Sequence, residues 1–100
     1  MIIRGTTPTV TFGLPFDTEQ LEVGFVTVQQ NGTTVFEKPL DACNCDGKTV
    51  TARFEQEDTL KLASDGSAEI RLVLKTVDGE RLETKPTIKR VINTSKEGVI

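Results

Sequence analysis

The stretch LEVGFVTVQQNGTTVFEKPL, Leu21 to Leu40, decides the fold. Two runs rich in Val, Phe and Thr flank Asn31-Gly32. A two-residue hairpin loop needs positive φ at both central positions, and Asn-Gly supplies that at the least steric cost. The stretch therefore predicts an antiparallel hairpin. Pairing outward from the loop sets Gln30 against Thr33, Val28 against Val35, Thr27 against Phe36 and Val23 against Leu40. One face then collects Val23, Phe25, Phe36 and Leu40; the other collects Val26, Val28 and Val35. Both faces are partly apolar, so one lines the core and the other is covered by a further element or another molecule.

The segments on either side are also β in character. TPTVTFGLPF, Thr7 to Phe16, alternates Val10, Phe12, Leu14 and Phe16 against small or polar residues. Pro8 and Pro15 bracket it, and proline cannot donate to a central ladder, which predicts an edge strand. TVTARFE alternates Val50, Ala52 and Phe54 inward. SAEIRLVLKTV places Ala68, Ile70, Leu72 and Leu74 in phase, and Asp78-Gly79 turns it into ERLETKPTIKRVI. Between these, QEDTLKLASDG has few strand formers and reads as a crossover with one helical turn, Leu60 and Leu62 reaching the core. Six or seven short strands with turns every ten or so residues predict an all-β fold. The architecture expected is an antiparallel immunoglobulin-like β-sandwich, with a small β-barrel as the alternative. The domain is expected to span residues 1–92, and NTSKEGVI, residues 93–100, to form a flexible tail.

At 100 residues the chain has room for one core. Its 12 basic and 15 acidic residues are interspersed, with a net charge of −3. No basic block exists to follow a phosphate backbone, which argues against nucleic-acid binding. No apolar run approaches the roughly 18–20 residues that span a bilayer, so no membrane partner is expected. MIIRGTTPTV has neither an apolar h-region nor a cleavage site, which points to synthesis in a reducing cytoplasm.

DACNCDGK, Asp41 to Lys48, is the stretch that most resembles chemistry. Structural zinc wants about four Cys or His ligands, and the chain has two cysteines and no histidine. The calcium-loop pattern fails because Cys43 and Cys45 occupy oxygen-ligand positions. In extended chain the two Cβ atoms lie beyond the roughly 3.8 Å of a disulfide. The segment therefore reads as a turn built on Asn44, Asp46 and Gly47 with reduced thiols. No metal and no cofactor are expected.

No catalytic residue is expected either. Without His or Tyr, acid–base work falls to carboxylates and lysines, and Glu55, Glu69 and Glu83 sit at solvent-facing phases. Sugar stacking lacks Trp and Tyr, and most of the five Phe fall at core phases. Asn31 and Asn93 open glycosylation sequons that need a secretory route to matter. What remains is contact with other proteins. The residues marked for it are Val26, Val28 and Val35 on one hairpin face and Thr7, Thr9 and Thr11 on the edge strand. The valines read equally well as core, since a bulge can change which way a strand faces.

IRGTTPTVTFGLPFDT (Ile3 to Thr18), QNGTTVFEK (Gln30 to Lys38), FEQEDTLKL (Phe54 to Leu62) and EIRLVLKTVDGERL (Glu69 to Leu82) carry a resemblance. In that order they resemble a group of small proteins encoded by tailed phages and prophages of gut Firmicutes. Members of that group open with an RGTTPTxxFxLPFDT-like segment. The resemblance implies a phage structural or accessory product, an immunoglobulin-like virion component at a head, neck, tail or baseplate position. Its partners would be other phage structural proteins or further copies of itself, and it would reside in the virion after synthesis in the host cytoplasm. The alternative is a non-virion accessory module that engages a host protein. The chain departs from the group at Val10, where relatives carry an aromatic residue or His, and at KEGVI, where they carry an acidic DEVL-like ending.

Overall fold

A computed structural model describes residues 1–100. The chain is all-β, with two sheets packed face to face. The strands are β1 (Ile2–Ile3), β2 (Thr9–Gly13), β3 (Leu21–Gln30), β4 (Thr33–Pro39), β5 (Asn44–Asp46), β6 (Thr49–Arg53), β7 (Ser67–Thr76), β8 (Arg81–Glu83) and β9 (Thr87–Ile92). One short helix, α1 (Gln56–Leu60), follows β6. The larger sheet runs β1-β9-β7-β3-β4, with β8 also on β7, and the smaller runs β2-β6-β5.

The ten-residue strands β3 and β7 form the centre of the larger sheet, paired antiparallel from Leu21/Thr76 to Gln29/Glu69. Along β7 the alternation is complete. Ala68, Ile70, Leu72 and Leu74 are buried, as the sequence phase predicts. The smaller sheet contributes Phe12, Val50 and Ala52, and Phe54 follows β6 into the core. The rings of Phe54 and Phe36 meet edge to face, centroids 5.1 Å apart, which joins β4 to the end of β6. The crossover places Leu62 in the core, while Leu60 is half-buried.

The Asn31-Gly32 loop has φ of +53° and +78°, the pair of positive values a type I′ turn requires. The hairpin register departs from the simple count. Gln30 pairs with Thr33 and Gln29 with Thr34, but Val28 then pairs with Phe36. Val35 is the extra residue of a β-bulge. The bulge moves Phe36 to the same side as Val26 and Val28, both fully buried, while Val23 and Phe25 lie on the other, outward side of β3. The expected grouping of Val23, Phe25 and Phe36 on one face is thereby corrected.

Four further features differ from the sequence reading. Nine strands form rather than six or seven, because short pairings count as strands. β1 pairs parallel with β9, so the larger sheet is mixed. ERLETKPTIKRVI splits into β8 and β9, since Pro86 has no N–H to give and Thr84 bonds Leu72 through both backbone and side chain. DACNCDGK is more than a turn: Leu40–Ala42 is a 3-10 turn, and Asn44–Asp46 adds an edge strand to β6.

Residues 93–100, expected as a tail, make hydrogen bonds to the rest of the domain. Arg4 donates to Asn93 Oδ1 and to Glu97 Oε1, each at 2.6 Å, and to the carbonyls of Leu60 and Leu62. Gln56 exchanges two hydrogen bonds with the backbone of Ile100. Gln30 makes the same two-bond exchange with Ala63, which pins the crossover to the hairpin end.

Lys38 points inward from β4 to the Asp58 carboxylate on α1, both side chains largely shielded. Burial works against ionising Asp58. The Lys38 hydrogen bond, the Glu55 N–H and the charges of Lys38 and Lys61 outweigh it and hold the carboxyl below its ordinary range. A lowered native value means that Asp58 stabilises the fold fully above the ordinary carboxylate range. That contribution is lost as pH falls through the lowered native value. Asp58→Asn is expected to cost about 1–2 kcal/mol at pH 7. The gap to wild type should narrow as pH falls through the ordinary carboxylate range and below it, measured as urea midpoints across pH. A gap that persists unchanged in acid would mean that charge is not what Asp58 contributes.

Candidate functional site

The inner face of the larger sheet is consumed by the core, so the alternate residues of the same strands make its outer face. β3 turns out Val23, Phe25, Thr27 and Gln29, and β7 turns out Glu69, Arg71, Val73 and Lys75. Phe25 lies between Pro39 of β4 and Val73 of β7, and Val73 in turn lies beside Glu83 of β8. Val23 is opposite Lys75, which is opposite Arg81. The result is an apolar centre of Phe25, Val23 and Val73 with charged residues around it. Phe25 is 40% exposed and Val23 is 41% exposed, unusual for large apolar side chains at the middle of a sheet.

Twist hollows this face into a concavity of about 450 Å³. The polar rim is organised by local bonds. Arg71 donates to Gln29 Oε1 at 3.0 Å and to Glu69 Oε2 at 3.4 Å, and Thr27 donates to Glu37 Oε2 at 3.3 Å. A smaller apolar notch of about 270 Å³ lies between the segment after β2 and β8, lined by Leu14, Phe16, Leu74 and Leu82. Neither hollow gathers carboxylates and a nucleophile around a common point. Gly24 supports the floor from beneath: a Cβ there would meet Leu74 Cδ2 at 2.8 Å and the Val73 carbonyl at 3.2 Å. Glycine lets β3 approach β7 closely under the apolar centre.

The residues marked from sequence fall in three different places. Val26 and Val28 have no exposed surface; they belong to the core and cannot meet a partner, which corrects their assignment to an interface. The cause is the phase of β7, since Val26 is opposite Leu72 and Val28 opposite Ile70. Val35 itself is half-buried at the bulge. Thr9 and Thr11 are exposed on β2, a free edge of the smaller sheet, and Thr7 is half-buried just before it. Thr11 Oγ1 lies 3.2 Å from Thr51 Oγ1 on β6, so part of its polar capacity is used within the sheet. The threonines and valines thus occupy different sheets and form no joint surface. Phe25, Val23 and Val73 were not singled out by sequence, because the choice of hairpin face rested on the unbulged register.

Cys43 and Cys45 are both free thiols. Burial, then the neighbouring Cys45, push the Cys43 thiol up against the opposing pull of Lys38. Burial and Asp41 push Cys45 up. Such thiols stay protonated at neutral pH and are poor nucleophiles. No group of three or more His, Cys, Asp or Glu side chains is arranged to hold a metal ion. No helix is long and apolar enough to cross a membrane.

The fold and this face define a small β-sandwich whose most site-like feature is an open sheet surface. Comparison of the chain with protein-family models, curated proteins and solved structures finds no match.

Proposed function

We propose that the chain is a structural or assembly protein of a tailed-phage particle, at a head, neck, tail or baseplate position, and works through protein–protein contacts. The observation that carries this reading is the outer face of the larger sheet. Its apolar centre is displayed on the two longest strands, where a sheet that met only water would carry polar residues. A broad, shallow, charge-rimmed surface suits a macromolecular partner better than a small molecule, which needs enclosure. The resemblance of the segments from IRGTTPTVTFGLPFDT to EIRLVLKTVDGERL to small phage proteins supplies the particle context. In a symmetric particle, repetition multiplies modest contacts into firm attachment.

The test is to purify particles from the producing strain and quantify this chain against the major capsid protein by mass spectrometry. The expected result is copurification in a fixed ratio. Abundance in the lysate with absence from particles would overturn the reading and favour a phage-encoded module acting on a host protein.

A further inference from the structure

We propose that the outer face of the larger sheet is the contact surface for a second copy of this chain, packed sheet to sheet about a two-fold axis that runs along the strands between β3 and β7. The occupant is argued from charge and from size. On the β4 side of the apolar centre the outward charge is acidic, from Glu37. On the β7–β8 side Arg71, Lys75 and Arg81 outnumber the acids Glu69 and Glu83. The surface is therefore two unlike halves about an apolar seam, which is what a self-complementary two-fold contact requires.

The cross-strand register selects the axis. A two-fold along the strands between β3 and β7 lays each strand over the partner's other central strand. Phe25 then meets Val73 of the second copy, because the two share one register row. Arg71 comes over Thr27, and Thr27 is paired with Glu37, one strand further out. A two-fold running across the strands through the Phe25–Val73 row would instead stack Arg71 on Lys75, a like-charge contact. The area is adequate. Under this axis four columns overlap, β4, β3, β7 and the β8–β9 column, with 7, 10, 10 and 9 residues, which at about 3.3 Å per residue and about 4.8 Å between strands gives a face of roughly 570 Å². Two such faces bury about 1,100 Å² in total, above the roughly 1,000 Å² that a specific interface has to clear.

This inference rests on reading the face as a docking surface but not on residence in a particle. A chain that dimerises yet is missing from particles keeps this inference and loses the previous one. A monomer found in particles does the reverse.

The experiment is sedimentation equilibrium of the full chain up to roughly 200 µM, with circular dichroism to verify folding. Wild type is expected to reach twice the chain mass of 11.0 kDa. Phe25→Glu is expected to be folded and monomeric over the same range. Because a glutamate in the sheet also strains folding, a charge swap provides the second arm. Glu37→Arg and Arg71→Glu should each weaken the dimer about tenfold or more, and the double variant should recover most of that loss. Three results would overturn the proposal: a monomeric wild type, which leaves the face to a different partner; folded variants that dimerise as well as wild type, which moves the contact to an edge such as β2 or β4; or single-swap losses that the double variant leaves in place.

Discussion

Phe54→Ala is expected to remove about 3–5 kcal/mol of stability, the largest effect of any single substitution considered for this chain. Phe54 has no exposed surface, and its ring meets the edge or face of Phe36 on the opposite sheet at 5.1 Å. It lies where the two sheets must be held together: its N–H donates to the Pro8 carbonyl at 2.9 Å, just after β6 ends and just before β2 begins. Truncation would lose the transfer free energy of the ring and leave a cavity whose walls come from both sheets. Such walls collapse poorly because each belongs to a hydrogen-bonded ladder. Against a typical total of about 5–15 kcal/mol for a domain, the loss brings the fold close to its limit. Phe54→Leu should cost roughly 1–2 kcal/mol, since it keeps much of the volume but loses the ring-on-ring contact. Urea denaturation at one pH gives both values. A Phe54→Ala loss below about 2 kcal/mol would mean that the sheets are coupled mainly elsewhere.

What the sequence discloses follows from which physical rule governs each strand. β7 and β6 have one face in the core and one outside, so their alternation names every buried apolar residue. The Asn31-Gly32 turn is legible because a backbone requirement singles out residue type. β3 and β4 are different, since β3 is apolar on both faces. Periodicity cannot say which face is core, and one bulge at Val35 shifts half the hairpin by a residue. The deciding constraint is non-local: β3 lies against β7, whose Leu72 and Ile70 draw Val26 and Val28 to the inside. The outer face was hidden for the same reason, because it consists of whatever β3 and β7 do not bury. β1 is two residues long, too short for any pattern, and its parallel pairing with β9 is set by the chain's return path. The DACNCDGK stretch misled in a milder way. Its turn residues are real, but a three-residue edge strand needs only a neighbour with free backbone groups, and β6 provides it.

The second large effect is expected at Thr59. Its side chain has no exposed surface, and the hydroxyl does double duty between α1 and the segment that precedes β2. It donates to the Thr6 carbonyl at 2.9 Å and accepts the Gly5 N–H at 2.9 Å. Thr59→Val preserves shape but leaves the part-buried Gly5 N–H and Thr6 carbonyl without their partner. Each unsatisfied group costs about 1–3 kcal/mol, so a total of about 3 kcal/mol is expected. Thr59→Ser separates the alternatives: it keeps both hydrogen bonds and gives up one methyl group, for a loss of roughly 1 kcal/mol. If packing were the main contribution, Ser would be worse than Val, and that order in thermal or urea midpoints would refute the hydrogen-bond account. The consequence reaches past one residue. Arg4 follows β1 directly, and its guanidinium holds the Leu60 and Leu62 carbonyls together with Asn93 and Glu97. Loosening Gly5 and Thr6 should therefore release the terminal segment as well as α1. In hydrogen exchange of Thr59→Val, amides of β1, α1 and residues 93–100 should lose protection together while those of β3 and β7 hold. Uniform loss across both sheets would show that Thr59 supports the whole core and not this local latch.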